Sequence, residues 1–319
     1  MFDCHYDLLT YILVKKNEED LLKKYCRKVY RKDNIIGGIF NLFYMTKEEM
    51  KNELEIEETQ IDVIENLKEV KKYIEEKKLI PQNIKYIFGI EGLDYLQKID
   101  DLDILYSLGL RATNPVWNNE NKFGGGIRAD KKTGLTSLGK KLIEKLIKKR
   151  IAIDLSHANE TTFWDIIQIC KMQKKKGNDP IVFASHSNAK AICNVPRNLT
   201  DEQILSIKEL GGIIGVVSIK KFCIDSDDVC NSNLNFEQKY IDNINYLKSL
   251  MGDVNNIAIA TDDMRYYDIE PDYYQNANIY SHFEVKEKIE LALLKNSYKK
   301  EEIENILINN FKEKILNRL

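Results

Sequence analysis

Histidine is scarce in this chain, with 4 in 319 residues, and proline is nearly as rare, with 5. So few imidazoles make the position of each one informative. A charge surplus is also missing: 48 Lys and Arg face 50 Asp and Glu, for a net charge of −2. Proteins that neutralise phosphates carry a basic excess, so nucleic acid drops out as the leading partner. Lysine patches such as Lys174–Lys176 read as solvated helix faces. No stretch reaches the roughly 18 consecutive apolar residues of a membrane-spanning helix. The start, MFDCHYDLL, has no basic region followed by an apolar run, so no signal peptide is expected. The 6 cysteines form no Cys-x-x-Cys pair, which favours reduced thiols in a cytoplasm over a disulfide framework. No glycine-rich phosphate motif follows the first strand, and Gly124-Gly125-Gly126 sits in a polar loop.

What is present is a regular alternation. Hydrophobic residues make up 43% and charged residues 31%, the balance of a globular chain. Short β-rich runs fall at Met1–His5, Ile35–Phe43, Tyr86–Ile90, Leu108–Thr113, Ile151–Leu155, Ile181–Ala184, Gly212–Ser218 and Ile257–Ala260. Between them lie amphipathic segments with helical spacing, among them Glu48–Lys77, Leu93–Ser107, Ser137–Lys149, Thr161–Lys175 and Asp201–Leu210. Two more, Phe283–Lys295 and Lys300–Arg318, follow the last run as extra C-terminal helices. Eight such alternations predict an α/β fold, a (β/α)8 TIM-type barrel, with an open doubly wound sheet as the alternative. The expected organisation is one barrel domain over 1–319, with a charged helical insertion at about 46–78.

The scarce residues gather at strand ends. His5 and Asp7 form a His-x-Asp pair closing the first run, and Glu91 directly follows the third. His157 follows the fifth run, His186 the sixth and Asp262 the eighth. The C-terminal strand ends are where barrel enzymes place their chemistry. Alternate residues of a strand share a face, so His5 and Asp7 can point together into the barrel mouth. Imidazole nitrogen and carboxylate oxygen suit zinc or a similar divalent ion. A carboxylate such as Glu91 can bridge two ions about 3.5–4 Å apart. Singly, each residue has a plainer reading: a strand-end His is commonly a hydrogen-bonded rim residue, and a lone Asp commonly caps a turn. His282 lies outside the pattern and reads as structural.

The segments DCHYDLL, YIFGIEG, IAIDLSHA, PIVFASHSNAKAICNVPRNLTDE and IAIATDD resemble the successive motifs of the membrane (renal) dipeptidase family of zinc metallopeptidases, in the amidohydrolase superfamily. The resemblance runs from Phe2 to the closing INNFKEKIL helix and is most specific around His186. It implies two divalent ions per chain, zinc first among them, and hydrolysis of dipeptides by a hydroxide bridging the metals. His5 and Asp7 match the ligands of one ion, Glu91 the bridging carboxylate, and His157 and His186 the ligands of the second. Asp262 matches the acid that handles the proton, and Arg197 the residue that holds the substrate's free carboxylate. A homodimer and acceptance of a C-terminal D-residue are further implications.

The chain departs from the family pattern in places. Many members carry a His on the loop after the fourth strand, where NPVWNNEN has none and Trp117 takes the place. An indole N–H is a neutral donor and cannot supply an imidazolium's charge. Trp117 also reads as a pocket wall or a core residue. Cys4 and Tyr6 stand where the family often has Gly and Asn, and Asp263 replaces an aromatic beside Asp262. Two other functions stay open: hydrolysis of N-acyl amino acids or lactams, and a metal-retaining homologue that binds peptides without turnover.

Overall fold

Eight parallel strands lie side by side in chain order, each paired with the next. They are β1 (Phe2–Tyr6), β2 (Gly37–Phe43), β3 (Lys85–Glu91), β4 (Leu110–Asn114), β5 (Ala152–Asp154), β6 (Val182–Ala184), β7 (Ile213–Val217) and β8 (Ile257–Ala260). The structure is a computed structural model, and it describes residues 1–44, 62–224, 235–262, 278–280 and 282–319. The last strand returns to the first: Asp262 N donates to His5 O at 3.1 Å. Beneath that bond the Asp3 carboxylate accepts Thr261 N at 3.0 Å and Thr261 Oγ1 at 2.5 Å. The order is that of the expected (β/α)8 barrel rather than of an open doubly wound sheet.

Two apolar layers follow from the two-residue period of the strands. Phe2, Cys4, Ile39, Ala112, Ile213, Val217, Ala258 and Ala260 pack into one buried cluster, the barrel interior. Phe311 seals it from below, its ring 5.1 Å from that of Phe2 and nearly parallel to it. The intervening residues Ile214, Val216, Ile257 and Ile259 face outward into the larger cluster shared with the helices. Burying each of these aliphatic side chains is worth about 1.5–3 kcal/mol. On β8 the same alternation places Asp262 on the face of Ala258 and Ala260, at the mouth.

The helices Ser137–Lys149, Glu160–Lys175 and Asp201–Glu209 start where capping residues stop the preceding loops. Thr136 accepts Gly139 N, Asn159 accepts Thr162 N, and Thr200 forms a capping box with Gln203. Such caps contribute about 1 kcal/mol each and fix where each helix leaves the mouth of the barrel. Two expectations are sharpened. Leu93–Asp100 is not helical: Leu93, Leu96 and Ile99 have helical spacing but sit in successive turns, and the helix covers Asp101–Leu108 only. The last segment is likewise interrupted, Asn305–Asn309 being π-helical between Lys300–Glu304 and Asn310–Lys314. Of the insertion at about 46–78, Val63–Lys77 is a helix, and 46–61 lies outside the described residues. Asp263 and Cys230 lie outside them too, while the five described cysteines are buried and form no disulfide with one another. Among the described residues no helix is long and apolar enough to cross a membrane.

Candidate metal centre

The strand ends bring His5, Asp7, Glu91, His157, His186 and Asp262 into one cluster at the mouth. A register irregularity in β1 between Asp3 and Tyr6 resets the alternation there. Tyr6 joins the outer layer, and His5 and Asp7 on either side of it face inward. Glu91 stands at the centre. Its Oε2 lies 3.4 Å from His5 Nε2, while its Oε1 lies 2.8 Å from His157 Nε2 and 3.4 Å from His186 Nε2. His5 Nε2 is also 3.2 Å from Asp7 Oδ1 and 4.0 Å from Asp262 Oδ1. His157 Nε2 and His186 Nε2 approach to 2.9 Å.

Among the described residues two groups have the spacing to hold a metal ion: His5 with Glu91 and His186, and His5 with Asp7 and Asp262. The donors fit such ions on three counts. First, His5 Nε2 and Asp7 Oδ1 are buried and make no hydrogen bond, although buried polar groups nearly always find a partner. Second, each imidazole turns Nε2 inward and has its Nδ1 held from behind, the outer-shell arrangement of metal-ligating histidines. His157 Nδ1 meets Asn118 Oδ1 at 2.9 Å, His186 Nδ1 meets Ser185 Oγ at 2.6 Å, and His5 Nδ1 meets Asn41 Nδ2 at 2.9 Å. Third, the cluster attracts positive charge. Burial disfavours charged His5, but Glu91 and Asp7 outweigh it and raise its pKa well above the usual value. Burial likewise opposes ionised Glu91, and His5 and His157 overcome it to hold that carboxyl well below its usual range. Burial keeps His157 neutral, its pKa brought down to about 4, and His186 lower than its usual value as well. Lone pairs at His157 and His186 beside acidic groups are what a divalent cation requires.

Asp262 differs from the other carboxylates. Burial first, then Asp7 and Glu91, push its pKa up to about 7 against the pull of His5 and Arg197. Both Asp262 and His157 take left-handed backbone conformations, with φ of 44° and 69°. Such conformations cost of order 1–3 kcal/mol in a non-glycine residue and concentrate at functional sites.

The wall of the site comes from the loops. A cavity of about 200 Å³ is lined by Asp7, Glu91, Trp117, His186, Arg197 and Asp262, among others. An adjoining cavity of about 110 Å³ shares Ile127, His157 and Arg197 with it. Arg197 Nη2 lies 3.1 Å from His157 Nε2, so its guanidinium faces the cluster directly. The Trp117 ring is 5.9 Å from that of His157 and 6.1 Å from that of Phe43, which makes it part of the wall. The triple glycine has a packing role. A Cβ on Gly126 would meet Trp117 O at 2.0 Å, and one on Gly125 would meet Asn159 Nδ2 at 2.5 Å. Only glycine lets this loop press Trp117 and Asn118 against His157. His282 is buried below the cluster, where Nε2 lies 2.5 Å from Thr261 Oγ1 and 3.3 Å from Asp3 Oδ2, a place in the seam between β1 and β8. Sequence reasoning passed over Asn41, Asn118, Asp154 and Ser185. Their one signal was position: Asp154, Ser185 and Asn118 stand at a strand end or in the loop that follows it, and Asn41 is a polar residue inside β2.

Known proteins share this arrangement of strands. A metallopeptidase from Rhodobacter sphaeroides, solved with a phosphinate mimic of the dipeptide L-Ala-D-Ala, superimposes with a TM-score of 0.74 over 100% of this chain and 99% of its own, at 20% identity. An uncharacterised Klebsiella pneumoniae protein from the pqqA 5' region is 34% identical over 186 residues, 56% of this chain and 64% of that protein. Human dipeptidase 3 is 29% identical over 143 residues, 42% of this chain and 28% of its own length. These matches span less than two thirds of either relative's length. The membrane dipeptidase (peptidase family M19) model matches residues 1–315, and the chain belongs to that family.

Proposed function

We propose that this chain hydrolyses the peptide bond of dipeptides with two divalent cations, zinc first among them. His5 and Asp7 hold one ion, His157 and His186 hold the other, and Glu91 bridges them. The observation that carries this reading is the division of Glu91, with one oxygen towards His5 and the other towards His157 and His186. The related Rhodobacter structure with a dipeptide mimic supports the substrate class. When bound, the ions polarise the scissile carbonyl and lower the pKa of water from 15.7 towards about 7. The remaining work falls to the chain's own side chains. The Asp262 carboxylate accepts the proton of the attacking water and returns it to the leaving amine. Arg197 presents a planar fork to the substrate's free carboxylate and fixes that end against the cluster. Trp117 and Phe43 wall the cavity and limit the access of water.

A panel of L,L and L,D dipeptides with zinc, manganese and cobalt tests the proposal. Turnover of at least one dipeptide is expected, with two ions per chain. Ions bound with no turnover of any dipeptide would favour the second reading, a peptide-binding homologue. That reading draws on the indole at Trp117 where many relatives carry an imidazole. Turnover of N-acyl amino acids or lactams alone would move the substrate within the same chemistry. We further propose one barrel domain over 1–319 with an insertion at about 46–78, a cytoplasmic setting in keeping with the absence of any Cys-x-x-Cys pair, and a homodimer.

Arg197→Ala should raise KM for dipeptides about 10–100-fold, the worth of a hydrogen-bonded charged contact. Arg197→Lys should fall between, because the charge remains and the fork is lost. Dipeptides blocked as C-terminal amides should respond little to either change. Unchanged kinetics for free dipeptides in Arg197→Ala would remove the clamp.

A further inference from the structure

We infer that Ser185, oriented by Asp154, is a positioning residue that sets the tautomer of one histidine ligand of each ion. The inference rests on the metal centre proposed above and deepens it. Ser185 Oγ is buried and lies 2.5 Å from Asp154 Oδ2, 2.6 Å from His186 Nδ1 and 3.3 Å from His5 Nδ1. A fourth, longer approach of 3.4 Å joins it to Ser156 Oγ. Asp154 is buried as well, and its Oδ1 accepts the backbone N–H of Ser156 at 3.0 Å and of Ser185 at 2.9 Å. A backbone N–H can only donate, so Oδ1 is pinned as an acceptor, and the ionised carboxylate has only lone pairs to offer at Oδ2 as well.

The direction of every other bond follows. A serine hydroxyl has one proton and two lone pairs. The proton goes to Asp154 Oδ2 at the shortest distance, and the lone pairs are left facing His186 and His5. Both rings then meet Ser185 with Nδ1–H, which makes Nε2 of each the nitrogen that offers its lone pair to a cation, with His5 giving up its second proton as the cation binds. The two rings are 3.9 Å apart, so one hydroxyl reaches both. Asn41 also faces His5 Nδ1, but its amide can present either end by rotation and does not select a tautomer. Asn118 meets His157 and acts on the second ion alone. Ser185 is thus the shared support of the two ions.

Zinc binding to the metal-depleted full chain, measured by competition with a chromophoric chelator, tests this. The wild type should bind two ions with two resolvable affinities. Ser185→Ala should weaken both about 10–100-fold, the usual effect of removing an outer-shell partner. Asp154→Asn keeps the volume, but its amide donates to Ser185 and turns the hydroxyl proton towards the histidines. It should therefore weaken both ions at least as much. Ser185→Thr, which keeps the hydroxyl, should bind like the wild type, and Asn118→Ala should weaken only one ion. Circular dichroism checks folding, and if Ser185→Ala does not fold, Asp154→Asn against Ser185→Thr decides. Unchanged affinities, or the loss of one ion only, in a folded Ser185→Ala or Asp154→Asn would overturn the inference. A wild-type chain that binds no zinc would overturn the metal centre itself, and this inference with it.

Discussion

Asp262→Asn is expected to lower kcat by about 10²–10⁴-fold, the range in which a positioned general acid–base contributes, with the fold retained. Asparagine is the right replacement for this position. It matches aspartate in size and is among the few residues that tolerate the left-handed conformation Asp262 adopts at φ 44°. The backbone bond from residue 262 to His5 O, which closes the barrel, is left untouched. What disappears is basicity. Asp262 must be ionised to accept a proton, and burial with Asp7 and Glu91 pushes its pKa up to about 7. Activity of the wild type should therefore fall as pH drops through an acidic limb. A bound cation stabilises the carboxylate, which places that limb at or below about pH 7. The variant's residual activity should lack it. Stability should move the other way. An acid whose folded pKa is raised destabilises the folded state above its unfolded pKa of about 3.9. Metal-depleted Asp262→Asn should melt higher than metal-depleted wild type, with a gap that opens from about pH 4 to about 7 and then holds. Rates across pH with saturating dipeptide, and melts with and without metal, check both halves. A wild-type rate would remove Asp262 from proton transfer.

The opposite signs of those two effects mirror what could be seen from sequence. Carboxylates and imidazoles at strand ends were legible because the eight apolar runs mark the strands, and all eight coincide with observed strands to within about two residues at either end. Four histidines leave few ways to build a site, and His5, His157 and His186 stand together. The supports behind them were not legible. Asn118, Asn41, Ser185 and Asp154 are residue types that loops and turns use for ordinary reasons. Their role depends on neighbours brought together by barrel closure: Ser185 and His5 are separated by 180 residues. The irregularity in β1 that turns His5 and Asp7 inward has no signature in an apolar pattern. The left-handed backbone of His157 and Asp262 is equally silent, because Asp and His adopt it more often than most residues but far less often than glycine does.

Glu91→Gln should weaken the hold on both ions and release at least one of them, because Glu91 is the side chain that faces both histidine sets. Glutamine fills the same space and keeps one carbonyl oxygen, but it has no charge and only one acceptor end. One of the two directions, His5 or the His157–His186 pair, then meets an amide N–H instead of an oxygen. Metal analysis after gel filtration should fall from two ions per chain to one or fewer, with dipeptide hydrolysis lost. The metal-depleted variant carries a second signature. In the wild type, Glu91 and Asp7 raise the His5 pKa well above its usual value, against burial. A base with a raised folded pKa contributes stability in full below its unfolded pKa of about 6.5 and loses it as pH rises through the folded value. Removing the Glu91 charge removes part of that contribution. The stability deficit of Glu91→Gln should therefore be greatest between about pH 5 and 6.5 and shrink as pH rises. Urea unfolding of metal-depleted protein across that range measures it. A deficit that grew with pH would mean that His5 is not the group Glu91 holds charged, and two retained ions would take the bridge away from Glu91.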